Sequence, residues 1–129
     1  MSVEHRTHVR KWLEKADHDI IAAKTLIDVQ PLILDVICFH CQQAVEKYLK
    51  AFLVYNRVDI KKTHDLRLLQ NMCSKIDSSF SELDFKDLNT YAVQVRYPDF
   101  VSPPMEEVKE YFLIAQKVKK FMLSKIIFD

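Results

Sequence analysis

His40, Gln43, Lys47 and Lys50 recur at intervals of three and four residues, so a helix through them lines an imidazole, an amide and two ammonium groups along one edge. Lysine offers a phosphate a point charge, glutamine offers hydrogen bonds to a base or ribose, and histidine moves a proton near neutral pH. Arg96, Tyr97, Pro98 and Asp99 add a second cluster, with a guanidinium fork for phosphate and a phenol face for stacking. Joined together, the two clusters have the chemistry of a nucleotide site or of a polar docking surface for a protein partner. The same inventory also suits an internal polar network, in which Asp99 pairs with a basic side chain and Tyr97 closes a helix end. His40, on the border between two faces, equally fits a hydrogen-bonded histidine at the core margin, and Lys47 and Lys50 equally fit solvated positions, with Glu46 and Lys50 paired at i, i+4.

No catalytic group is assigned, and two low-ranking candidates remain. Arg57 and His64 enclose six residues, and Asp65 follows His64. Arg57 would grip a phosphate while His64, polarised by Asp65, moved a proton; the competing reading has His64 and Asp65 capping a helix. Metal chemistry is not indicated. Cys38 and Cys41 have half the spacing of a zinc site, but only Cys73 remains to complete it, and both lie on an apolar helical arc, which points to core packing. His5, His8 and His18 form no ligand pattern with one another, and no Ser, His, Asp grouping stands out. No cofactor is predicted.

The chain contains no glycine, where average usage of about 7% would supply roughly nine. Walker loops, dinucleotide fingerprints and nucleophile elbows need glycine for tight turns, so phosphate recognition here must come from side chains or helix N-termini. The net charge is +1, which gives no bulk attraction to nucleic acid. Its distribution is uneven. Seven basic residues between Lys47 and Lys75 face Asp59 and Asp65, and eight acidic residues between Ile76 and Glu110 face Lys86, Arg96 and Lys109. Three cysteines cannot all pair within one chain, no signal-type apolar run opens the sequence, and no run of 18 apolar residues occurs. A reduced, cytoplasmic setting without membrane association is expected.

At 129 residues the chain is expected to form one domain, residues 1–129, with a core that needs no disulfide or metal. Apolar periodicity predicts helix one over about Thr7 to Val29, through Val9, Trp12, Leu13, Ala16, Ile20, Ala23 and Ile27. Helix two is expected from near Pro31 to about Asn56. Its apolar arc holds Ile37, Cys41, Ala44, Val45, Tyr48, Leu49 and Phe52, and its outer arc Gln42, Gln43, Glu46, Lys47 and Lys50. A short third helix, capped by Thr63 or His64, carries Leu66, Leu69, Cys73 and Ile76. Ser79 and Glu82 have capping-box spacing ahead of a fourth helix through Phe85, Leu88, Tyr91, Ala92 and Val95, which stops before Pro98. Ser102, followed by Pro103, Pro104, Glu106 and Glu107, opens a fifth helix carrying Val108, Tyr111, Phe112, Ala115, Val118 and Met122 to near Ile127. The fold class is therefore all-α: an antiparallel up-and-down bundle of four long helices plus one short one. Ile21, Phe39, Ile114 and Phe121 fall off the main stripes, and their surplus suggests a homodimer interface.

Three local sequences, Phe39 to Leu53 (FHCQQAVEKYLKAFL), Thr63 to Leu66 (THDL) and Arg96 to Asp99 (RYPD), occur in this order after the WLEKADHDIIAA segment at Trp12 to Ala23. Together they resemble the HEPN domain family, the higher eukaryotes and prokaryotes nucleotide-binding proteins, over essentially the whole chain. The resemblance implies a helical bundle that commonly dimerises and is often encoded beside a minimal nucleotidyltransferase, at times as a toxin–antitoxin-like pair. Many members are ribonucleases whose activity rests on a late Arg-x4-6-His motif. This chain departs from that pattern: Arg96 is the only late arginine in a plausible position, and no histidine follows His64. The resemblance thus implies a non-catalytic module that binds a nucleotide, RNA or a nucleotidyltransferase partner. An atypical ribonuclease built around His40, His64 and Arg96, and a purely structural dimeric subunit, are the alternatives.

Overall fold

The computed structural model describes residues 1–60, 62–93 and 97–128. All of its regular elements are helical: α1 (Val3–Ile27), α2 (Leu34–Tyr55), α3 (Leu66–Ser74), two 3₁₀ helices (Ser78–Glu82 and Leu88–Ala92) and α4 (Met105–Lys125).

α2 is the central rod. Fourteen of its 22 residues are buried, against four of 25 in α1 and five of 21 in α4, so α2 is covered on several sides while the other long helices bury one stripe each. The stripe of α1 is the expected one, with Val9, Ala16 and Ala23 fully buried and Trp12, Leu13, Ile20 and Ile27 packed against them. Bonds from α1 to α2 pair His5 with Tyr55, Asp17 with Tyr48 and Asp19 with Lys47 and His40, so the two helices run in opposite directions. From the far side Val108, Tyr111, Ala115, Val118 and Met122 of α4 close the core.

Several boundaries differ from expectation for local reasons. Ser2 caps α1 through His5 N–H, which starts that helix four residues earlier than Thr7. α2 begins at Leu34, past Pro31, which sits in the turn behind a cis Gln30–Pro31 bond. Asp65, not Thr63 or His64, caps α3, accepting from the Arg67 and Leu68 amides. Ile76 falls outside α3 and is 43% exposed. α4 begins at Met105 behind Pro104, with no side-chain cap from Ser102.

The fourth long helix is the main correction. In its place stand the two 3₁₀ helices and the turn between them. Short polar side chains compete there with helical bonding. Asp77 accepts from the Ser79 amide, Asp84 accepts from the Lys86 amide, and Asn89 accepts from the Leu66 amide of α3. Lys86 is left-handed at φ 52°, which also ends any continuous helix. The core positions survive the change, since Phe80, Phe85, Leu88, Tyr91 and Ala92 are all buried. Val95 and Arg96 lie outside the described residues.

Of the apolar surplus, Ile114 and Phe121 pack against the core, Phe39 is half-buried with its ring edge against His40, and Ile21 is 60% exposed. Cys38, Cys41 and Cys73 are free and fully buried in the core. Burial pushes all three thiols up, Cys41 and Cys73 to about 12.

Candidate functional site

The polar residues of α2 do not form an outer face. Gln42, Glu46 and Lys50 are buried, and two carboxylates gather the cations of the helix into the interior. Asp19 reaches across from α1, a position its spacing between Ala16 and Ala23 places on the buried stripe. Its Oδ2 accepts from Lys47 Nζ at 2.6 Å and its Oδ1 meets His40 Nδ1 at 2.9 Å. One turn along α2, Glu46 does the same for a second pair. Its Oε2 accepts from Lys50 Nζ at 3.0 Å and its Oε1 meets His64 Nδ1 at 2.9 Å.

The amides complete the second cluster. Gln43 donates to Gln42 Oε1 at 2.8 Å, and Gln42 donates to the His64 carbonyl at 2.9 Å. Gln42 thus fixes the backbone of the loop whose imidazole Glu46 holds by the ring. Lys50 also lies over the Trp12 ring, 5.5 Å from its centroid, so its ammonium sits between a carboxylate and an aromatic face. A charge this deep is tolerated only when paired in this way. Also on α1, Asp17 accepts from Tyr48 and pairs with Lys119 of α4, and burial first and this bond second raise the Tyr48 phenol well above its usual range.

His64 is where the network meets water. Its side chain is 55% exposed while the Glu46 side chain behind it is 3% exposed. The ring lines a hollow of about 410 Å³ with Lys62, Thr63, Asp65, Asn89, Ala92 and Val93. A carboxylate acceptor holds the proton of a neutral imidazole on Nδ1 and leaves the Nε2 lone pair for solvent, the arrangement of a general base. The partner that orients His64 is therefore Glu46, not Asp65. Asp65 caps α3 and accepts from Asn89.

Arg57 does not join His64. It stands at the end of α2 in a left-handed conformation, φ 60°, as the Arg57 and Val58 amides bond back to the Val54 and Leu53 carbonyls. It lines another hollow, of about 470 Å³, with His5, His8, Val54, Val58, Asp59 and Ile60. Tyr97 and Asp99 are exposed and line a third with Phe100 and Val101. Among the described residues no hydrogen bond or ion pair links Tyr97 or Asp99 to His40, Gln43 or Lys47, and Arg96 lies outside the described residues. The helix-two candidates are thus brought together with one another, and the Tyr97 to Asp99 corner is not brought to them.

Asp19 is the residue that inspection of the polar line passes over, and Glu46, whose pairing with Lys50 the spacing predicts, also holds His64, which the spacing does not show. Asp19 carries a visible signal, a carboxylate on an otherwise apolar stripe. Glu46 carries only the i, i+4 spacing to Gln42 and Lys50. Among the described residues no group of three His, Cys, Asp or Glu side chains is placed to hold a metal ion, and no helix is long and apolar enough to cross a membrane.

A family model described as HEPN domain matches residues 9–126, nearly the whole chain. No curated protein and no solved structure matches it.

Proposed function

The chain belongs to the HEPN domain family, whose members are nucleotide-binding or ribonuclease modules, and we propose that within it this chain binds without cleaving: it takes up a nucleotide and docks a minimal nucleotidyltransferase-type protein. In this reading the module is a cytoplasmic homodimer of antiparallel helices and one half of a toxin–antitoxin-like pair. The observation that carries the reading is the internal neutralisation of α2. His40 and Lys47 are held by Asp19, and Lys50 and His64 by Glu46, so the Phe39 to Leu53 segment is occupied in holding α1, α2 and the α2–α3 loop together. The Arg57 and His64 spacing, which formally matches an Arg-x6-His pattern, supports the same conclusion, since the two residues line different hollows.

Calorimetric titration of the purified chain with ATP, GTP and a short single-stranded RNA tests the reading, together with co-purification against a co-expressed minimal nucleotidyltransferase. Saturable nucleotide binding with RNA recovered intact supports it. Flat titrations combined with no co-purification overturn it.

A second reading, an atypical ribonuclease, is favoured by one observation: His64 is oriented through Nδ1 by a buried carboxylate and its half-exposed ring lines a hollow with Lys62 and Asn89. In that reading His64 Nε2 takes the proton from a ribose 2′-hydroxyl as its oxygen attacks the adjacent phosphorus and the 5′-oxygen leaves. RNA cleavage by the parent chain, lost in His64→Ala, would establish it; absence of cleavage in the parent removes it.

A further inference from the structure

The cations of α2 are neutralised by Asp19 and Glu46, and the arginines lie elsewhere. Three of the chain's five arginines, Arg6, Arg10 and Arg57, sit at the end of the molecule formed by the first turns of α1 and the turn that follows α2. None of the three makes an ion pair among the described residues. Arg10 lies over the Phe128 ring, 4.7 Å from its centroid, and Arg6 Nε is buried with no hydrogen-bond partner. Arg6, in the first turns of α1, opposes that helix's dipole, whereas Arg57, just past the C-terminus of α2, favours the dipole of its own helix.

Between these elements lies the hollow of about 470 Å³, within the size range of small-ligand sites. Val54, Val58 and Ile60 give it an apolar wall, His8 and Arg57 line it with nitrogen donors, and the His5 ring stands beside them. The donor assignments follow from fixed partners. The Trp12 indole N–H donates to His8 Nε2 at 3.3 Å, so His8 keeps its proton on Nδ1. His5 Nε2 meets the Tyr55 carbonyl at 3.1 Å and must donate to it, so the N–H of the neutral ring is spent on the end of α2. Among the described residues Asp59 is the one carboxylate in the lining. It suits a ribose hydroxyl and opposes a bare phosphate.

We propose that this hollow is the nucleotide site of the chain: Arg57, with His8, binds the phosphates of a mononucleotide, and Val58 and Ile60 carry its base. The inference rests on the nucleotide-binding reading above and moves the site from the face of α2 to the end of the helix pair.

Arg57 allows a clean test because its backbone is left-handed. Glycine takes that conformation without steric cost, so Arg57→Gly removes the guanidinium and keeps the turn. ATP is titrated calorimetrically into the parent, Arg57→Gly, Arg57→Lys and, as a charge-matched control at the start of α3, Arg67→Ala, with thermal melts confirming that each is folded. The expected result is a loss of about tenfold or more in affinity for Arg57→Gly, a smaller loss for Arg57→Lys and parent-like binding for Arg67→Ala. Parent-like ATP binding by Arg57→Gly overturns the location and leaves the nucleotide-binding reading standing. A parent chain that binds no ATP overturns the location, and flat titrations with GTP and the RNA as well overturn the nucleotide-binding reading.

Discussion

Asp19 on α1 and Lys47 on α2 meet at 2.6 Å, and the second oxygen of the same carboxylate holds His40 at 2.9 Å. One side chain thereby fixes two points of the central helix, about two turns apart, against its neighbour. Asp19→Ala leaves Lys47 and His40 without their acceptor. Because those two side chains are 24% and 27% exposed, water recovers part of the loss, and the expected cost is about 2 kcal/mol in denaturant unfolding, below the range for a fully buried pair. Lys47→Met in the Asp19→Ala background is expected to cost less than the two separate losses added together.

Glu46 is expected to matter more. It is buried with Lys50, itself 8% exposed, and it also anchors the loop that carries His64. Glu46→Ala abandons a buried ammonium, with an expected loss of about 3 kcal/mol or more by equilibrium unfolding. Replacing both members, Glu46→Leu with Lys50→Met, is expected to recover most of that loss. If Glu46→Ala unfolds at the parent's midpoint, the network is not what joins α2 to the loop.

Stability at low pH should depend on Asp77. Its hydrogen bonds from Lys125 and then Ser79 hold its carboxyl down to about 2, from an ordinary value of 3.8. A depressed folded-state value means that the ionised form stabilises the fold above the ordinary value, and that this contribution is lost as pH falls toward 2. The stability difference between parent and Asp77→Asn is therefore expected to be constant from pH 7 to about 5, then to shrink and vanish near pH 2. A difference that grows on acidification would contradict the assignment.

The three thiols give a probe of opening. Burial raises all of them, so at neutral pH the native protein is expected to resist alkylation until it unfolds, with labelling rates that follow denaturant concentration. Rapid labelling of Cys38 or Cys41 in the native state would show that α2 is not the closed centre described here.

The long helices and their core stripes were legible because three- and four-residue periodicity is a local signal, and Val9, Ala16, Leu49, Tyr111 and Val118 lie where that period places them. The stretch from Asp77 to Pro104 was not. Phe85, Leu88, Tyr91 and Ala92 are spaced like a helical stripe, but Asp77, Asp84 and Asn89 spend their side chains on nearby amides, and the chain is pinned to α3 through the Leu66 amide. The site was half legible. His40, Gln43, Lys47 and Lys50 do share one side of α2, but whether such a line meets solvent or an acid on the next helix depends on what packs there, and Asp19 and His64 are distant in sequence. Helix two reads as two-faced because its Gln, Glu and Lys residues are polar; surrounded on several sides, it buries them by pairing them.

The account is tested most directly by calorimetric titration of ATP into the purified chain, with the nucleotide and a single-stranded RNA recovered afterwards. Saturable binding with both recovered intact is the predicted result. A flat titration, or RNA cleaved by the parent and spared by His64→Ala, would contradict it.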